Sequence, residues 1–177
     1  RVREMEAYDL VCQIVMNETH GLLAGEALKA HVVATYTMLQ YNNERGVAPV
    51  VGIRTDVANT IKVAANKVFG RTIYYDGEPI NAVYHSTSAG KTTSAEAVWG
   101  GSVTYLISVS SSVDKRSPSF TQSIKIGADD FSEAVLRTYG IYLDGDPSDW
   151  MTAKRDGDGG YVKTVTLGGK SKAQGGK

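Results

Sequence analysis

One glutamate gives the strongest chemical signal in the sequence. Glu18 ends the segment 8–18, in which Val11, Val15 and Glu18 fall at i, i+4 and i+7 on one face of a predicted helix. An apolar face desolvates a carboxylate, and the C-terminal end of a helix disfavours negative charge. Both effects favour a carboxyl group that keeps its proton near neutral pH, as a general acid must. The alternative is a helix-end glutamate that points into water.

A loop of small polar residues is the second chemical feature. It carries His85, Ser86, Thr87, Ser88, Lys91 and Thr92. Because hydroxyl and amino groups pair with sugar hydroxyls, this loop is predicted to line a polysaccharide groove. Trp99, a few residues later, either stacks on a sugar ring or belongs to the core. A serine hydrolase using Ser86 or Ser88 with His85 is a weaker alternative, since the Gly-x-Ser-x-Gly motif is absent and no acid partner is identifiable.

Metal binding is not indicated by the sequence. His20, His31, His85 and Cys12 are the residues that could be combined into a zinc site. They include no close pair of the Cys-x2-Cys or His-x3-His kind. On a helix, His31 is more typical of a packed or solvated side chain than of a ligand. We therefore expect neither a metal nor a cofactor.

Helices dominate the first part of the chain, and strands occur mainly later. Periodicity predicts helices over 8–18, 24–42 and 56–69, the last with Asp56 as N-cap. Asp76-Gly77 predicts a hairpin turn between 71–75 and 79–85. The remaining elements are a loop over 86–102, a strand over 105–110, a helix over 130–139 and a strand over 161–167.

This order of elements predicts an α+β fold rather than a regular βαβ series. N-terminal helices should pack with a mixed, largely antiparallel sheet and form a substrate groove. We expect one catalytic domain over residues 1–170, in one piece or in two lobes, and a frayed tail over 171–177.

Composition excludes two classes of function. Among 177 residues, 19 are basic and 19 acidic, so the formal net charge is zero. Nucleic-acid binding normally requires a basic excess or stripe, and none is visible here. No apolar run reaches the 18 residues of a membrane-spanning helix.

Five segments share the order and spacing of a known family. They are Asn17-Glu18, Glu26-Ala27-Leu28-Lys29-Ala30, the stretch from Tyr74 to Thr92, Glu96-Ala97-Val98-Trp99-Gly100-Gly101, and Tyr105-Leu106. From about Tyr8 to Leu167 the chain resembles the stage II sporulation protein D family, which includes the amidase-enhancer proteins. It differs from the family pattern at Thr19-His20, where Met-Pro is common, and at Tyr36, where an arginine is usual.

The resemblance implies a lytic transglycosylase, a lyase that cuts the glycan strands of peptidoglycan, preferably strands stripped of stem peptides. Glu18 occupies the position of the family's catalytic glutamate. It would protonate the glycosidic oxygen and then accept a proton from the muramoyl C6 hydroxyl, leaving a 1,6-anhydro end. The polar loop, Trp99 and Tyr36 would bind the strand.

The family also implies a setting. Its sporulation members work during engulfment beside a cell-wall amidase and a membrane scaffold. They lie outside the cytoplasmic membrane, anchored by an N-terminal helix that this chain lacks. The substitutions at His20 and Tyr36 motivate an alternative function, a non-catalytic module that binds glycan and stimulates an amidase.

Overall fold

The computed structural model describes residues 4–54, 56–155, 160–168 and 170–173. It divides into two compact units, the first ending at Tyr84 and the second beginning at His85. Helices and small antiparallel sheets make up both, so the predicted α+β class is confirmed. The substrate groove included in that prediction stays a prediction.

Three helices build the first unit: α1 (Ala7–Thr19), α2 (Gly25–Asn43) and α3 (Asn59–Val68). All three agree with the sequence prediction to within a few residues. Their apolar faces meet in one core, because residues three and four apart share a helix face. The core side chains are Val11, Cys12, Val15, Met16, Leu28, Val32, Ile61, Ala64, Ala65 and Val68.

The start of α3 differs from the prediction. The N-cap is Ala58, and no side chain caps the helix. Asp56 instead accepts two hydrogen bonds from the Arg54 guanidinium, at 2.9 and 2.7 Å. A bidentate charged pair is a stronger interaction for this carboxylate than one backbone amide.

The predicted hairpin is present but short. Strands β1 (Tyr74–Tyr75) and β2 (Glu78–Pro79) pair antiparallel around the Asp76-Gly77 turn. Both turn residues have positive φ, 52° and 83°, as the sequence signal requires. Pro79 has no amide hydrogen to donate, so regular pairing ends soon after it.

The second unit combines helices α4 (Ala95–Trp99) and α5 (Ala128–Tyr139) with strands β3 (Met151–Arg155), β4 (Val162–Leu167) and β5 (Lys170–Ala173). The strands form one antiparallel sheet in the order β3-β4-β5. Helix α5 ends at Gly140, which has φ 65° and donates to the Leu136 carbonyl at 2.8 Å. The core of this unit is a small cluster of Val135, Ile141, Leu143 and Leu167.

Three predictions for the second unit were wrong in part. The loop over 86–102 contains helix α4, which Ser94 caps. Residues 105–110 form no regular strand; they make a single bridge, between Lys91 and Ser110, and separate backbone hydrogen bonds. The tail predicted to fray from residue 171 forms β5 as far as Ala173, and residues 174–177 lie outside the described part of the chain.

Candidate functional site

The end of α1 places Glu18 in the last helical turn, as the sequence predicted. The helix stops because His20 adopts a left-handed conformation, with φ 52°, and its amide donates to the Met16 carbonyl at 2.9 Å. Gly21 follows with φ 73°. Two successive left-handed residues therefore end α1 just beyond Glu18.

Gly21 is predicted to be necessary for this turn. A Cβ atom at this position would lie 3.0 Å from the Ala58 Cβ, and the positive φ disfavours any L side chain. Gly21→Ala should lower the free energy of unfolding by about 1–2 kcal/mol for the left-handed φ alone, and by more in total because of the Ala58 contact, measured by urea denaturation. Gly46→Ala is the matched control, because Gly46 also has positive φ, 67°, but has no atom within 4 Å of its added Cβ. Equal losses in both variants would contradict the role of the Ala58 contact.

Two side chains contact the Glu18 carboxylate. The Nε2 of His31, on α2, lies 2.7 Å from Glu18 Oε2. The hydroxyl of Tyr84 donates a short hydrogen bond to the same oxygen. The His31 and Tyr84 rings also contact each other, with centroids 4.5 Å apart. We call Glu18, His31 and Tyr84 the Glu18 cluster; all three residues belong to the first unit.

Exposure differs within the Glu18 cluster. The Glu18 side chain is 41% exposed and the His31 side chain 14%. The desolvation expected from the apolar helix face is therefore incomplete, and the carboxyl group is accessible to a ligand. Tyr84 is 43% exposed; partial burial first, and then the hydrogen bond to Glu18 and its charge, raise the pKa of Tyr84 above its usual value. Tyr84 consequently stays a hydrogen-bond donor throughout the neutral range.

Sequence reasoning missed His31 and Tyr84 as partners of Glu18. His31 is predicted to be a packed or solvated helical histidine, and Tyr84 is assigned no role by the sequence. Their sequence separations from Glu18 are 13 and 66 residues. The one available signal was that His31 lies three residues after the core residue Leu28, on the inner side of α2.

Tyr36 lies elsewhere on α2. Its ring packs against Phe69 at 4.9 Å, and its hydroxyl accepts a hydrogen bond from Gln40 at 2.8 Å. It borders the core of the first unit. These described contacts of Tyr36 are with Phe69 and Gln40 and not with the Glu18 cluster, so its predicted role in binding substrate stays a prediction.

The polar loop is held by an acidic residue that the sequence analysis did not identify. Asp114 accepts hydrogen bonds from the Ser88 amide, at 2.8 Å, and from the Ser88 hydroxyl. Thr87 contacts the Ser117 hydroxyl at 3.1 Å. The hydroxyl groups of Thr87 and Ser88 therefore serve to fix the loop.

The hydrogen bonding between Asp114 and Ser88 should depend on pH. The two bonds from Ser88, followed by one from Ser111, hold the pKa of the Asp114 carboxyl below its usual value of 3.8. A lowered pKa means that Asp114 stabilises the folded loop above pH 3.8, and that this contribution is lost as the pH falls through the lower folded-state value. We expect hydrogen-exchange protection of the Ser88 amide to fall in that acidic range. Asp114→Asn, which mimics the protonated form, should show the reduced protection at neutral pH; unchanged protection would contradict the role of the charge.

Of the remaining loop residues, one takes part in hydrogen bonding to the backbone and the others are exposed to solvent. The Thr92 hydroxyl accepts a hydrogen bond from the Val109 amide at 2.9 Å. His85, Ser86 and Lys91 are exposed. Trp99 ends α4 and is 60% exposed, so the core alternative for this residue is wrong. The predicted binding roles of all these residues stay predictions.

The serine-hydrolase alternative finds no support in the loop geometry. The Ser88 hydroxyl is buried and donates directly to Asp114 rather than to an imidazole. In the ranges that the structure describes, no hydrogen bond joins His85 to Ser86 or Ser88. A nucleophilic serine needs a base within hydrogen-bonding reach.

Two kinds of feature are absent from the described residues. No group of three or more His, Cys, Asp or Glu side chains among them could hold a metal ion. No described helix has the length and apolar character needed to cross a membrane.

The fold and the site together define a class of protein. It is an α+β chain in which a histidine and a tyrosine hold an accessible glutamate at the end of a helix. Sequence comparison agrees with the family resemblance. Stage II sporulation protein D of Bacillus amyloliquefaciens is 33% identical over 120 residues, covering 66% of this chain and 33% of that protein. Stage II sporulation protein D of Bacillus subtilis (strain 168) is 27% identical over 198 aligned positions, covering 96% and 56%.

The amidase enhancer of Bacillus subtilis (strain 168) is 28% identical over 157 positions, covering 86% of this chain and 21% of that protein. No family model matches the chain. The chain thus has homologues named stage II sporulation protein D and amidase enhancer, at modest identity, and they support the family resemblance. It spans between 21% and 56% of the length of these relatives.

Proposed function

We propose that this chain acts on the bacterial cell wall and cleaves peptidoglycan glycan strands, with Glu18 as the single catalytic acid and base. The observation that carries the proposal is the Glu18 carboxyl itself: accessible at 41% exposure, yet fixed by two side chains from other parts of the chain. Accessibility lets a glycosidic oxygen approach, and fixation lowers the entropic cost of aligning the acid with it.

One carboxyl group is enough for this chemistry. Glu18 gives its proton to the glycosidic oxygen as the bond from that oxygen to C1 of the muramoyl residue breaks. The resulting carboxylate takes the proton of the muramoyl C6 hydroxyl as O6 bonds to C1. Because the nucleophile belongs to the same sugar, it has a high effective concentration and no second carboxylate is needed to activate water. The products are a 1,6-anhydro end and a free hydroxyl group on the departing sugar.

A direct assay tests this proposal. Peptide-free glycan strands are incubated with wild type and the products are identified by mass spectrometry. Fragments with 1,6-anhydro ends are expected. If wild type leaves the strands intact, the proposed activity is wrong.

A second function is a non-catalytic module that binds glycan and stimulates a cell-wall amidase. The name of one relative, amidase enhancer, supports this function more directly than it supports cleavage. The same preparation, mixed with an amidase and whole peptidoglycan, separates the two. Binding and faster amide hydrolysis without strand cleavage would favour the module, and neither binding nor stimulation would exclude it.

The proposed setting follows from the same family. The chain would act outside the cytoplasmic membrane during sporulation engulfment, next to an amidase and a membrane scaffold. Its anchor would be a membrane helix N-terminal to the residues of this chain. Labelling of intact cells with a membrane-impermeant reagent would test the location.

A further inference from the structure

Both partners of Glu18 contact the same atom. The His31 Nε2, at 2.7 Å, and the Tyr84 hydroxyl converge on Oε2. Oε2 is thus the oxygen that both side chains hold. The two oxygens of one carboxyl group are therefore in different environments.

The chemistry of a protonated carboxyl group matches this asymmetry. Its carbonyl oxygen only accepts hydrogen bonds, whereas its hydroxyl oxygen donates one. The Tyr84 hydroxyl donates to Oε2, so Oε2 is the accepting oxygen. His31 can also donate to Oε2, in the tautomer that carries hydrogen on Nε2. In the acid form of Glu18 that the proposed cleavage requires, the proton then lies on Oε1.

Packing keeps His31 in place, and the His31 ring in turn contacts Tyr84, which is 43% exposed. The His31 side chain is 14% exposed and its ring contacts the Tyr84 ring at a centroid distance of 4.5 Å. His31 lies in the second turn of α2, next to Val32, which is fully buried. A donor held by a packed helix does not need to be reoriented when charge develops on the oxygen.

We propose that Oε1 of Glu18 is the atom that gives and takes the proton, and that Tyr84 and His31 are positioning residues that hold Oε2. The proposal rests on the proposed glycan cleavage. When Oε1 releases its proton to the glycosidic oxygen, negative charge spreads to Oε2, where both donors stabilise it. Oε1 then accepts the proton of the C6 hydroxyl, and the carboxyl group returns to its initial state.

Kinetics on peptide-free strands test the positioning role. Tyr84→Phe and His31→Leu each remove one donor, and each should lower kcat by about 10- to 100-fold, the size of one hydrogen bond to a charged group, with little change in KM. Tyr74→Phe, at an exposed tyrosine of β1, is the matched control and should keep the wild-type kcat. His31→Gln retains an N–H donor and should recover part of the loss.

A second measurement does not depend on turnover. The 13Cδ resonance of Glu18, recorded at one fixed pH without substrate, should move in Tyr84→Phe and in His31→Leu but stay in place in Tyr74→Phe. An active wild type with unchanged kcat in both donor variants, or an unmoved resonance, would overturn this inference and leave the proposed cleavage intact. A wild type that cuts no strands would overturn both.

Discussion

Replacing Glu18 by glutamine should lower the rate of strand cleavage by about 10²- to 10⁴-fold, the usual contribution of general acid–base catalysis. Glutamine keeps the size of the side chain and an oxygen that can accept from Tyr84, but it has no proton to transfer. Binding of strands should therefore persist while release of anhydro-ended fragments is lost. The measurement pairs product analysis by mass spectrometry with sedimentation of the protein on insoluble peptidoglycan.

Glu26→Gln provides the matched control for this experiment. Glu26 lies at the start of α2, its side chain is 87% exposed, and it pairs only with Lys29 in the described structure. Such a surface pair contributes little, so this variant should cleave at the wild-type rate. Equal rates for wild type and Glu18→Gln would remove Glu18 from the mechanism, and an equal loss in Glu26→Gln would point to a general charge effect.

Leu28→Ala should have the largest effect on stability. The Leu28 side chain is 1% exposed and lies in the core between α1, α2 and α3. Removing a buried leucine side chain leaves a cavity and costs about 2–5 kcal/mol. The measurement is the free energy of unfolding from urea denaturation, followed by circular dichroism of the helices.

Leu22→Ala makes the same chemical change on the surface. Leu22 is 86% exposed, so its loss should change the free energy of unfolding by no more than about 0.5 kcal/mol. The contrast between the two leucines measures burial alone. A loss in Leu28→Ala no greater than that in Leu22→Ala would mean that the three helices do not share the core described above.

The sequence predicted the helices well because their information is local. A stripe of apolar residues such as Val11 and Val15 must be buried in any fold. A glycine such as Gly140 can end a helix without a contact from a distant part of the chain. The Asp76-Gly77 turn is local in the same way. Glu18 was identified from its position on such a stripe, together with the family resemblance.

The partners of Glu18 could not be predicted in this way. A hydrogen bond between Glu18 and Tyr84 depends on how α1 packs against distant segments, and neither residue type nor spacing encodes that packing. The same reason explains Asp114, which reaches Ser88 across 26 residues. Residues 105–110 have strand-forming composition, but their bonds to the segment around Thr92 are too scattered to make a regular ladder.

The division of the chain at His85 has an evolutionary consequence. Glu18, His31 and Tyr84 are all encoded upstream of it, whereas Trp99 and the anchored loop are encoded downstream. Substitutions or insertions in the downstream half leave all three residues of the Glu18 cluster unchanged. The Glu18 cluster can therefore be inherited as one contiguous part of the gene.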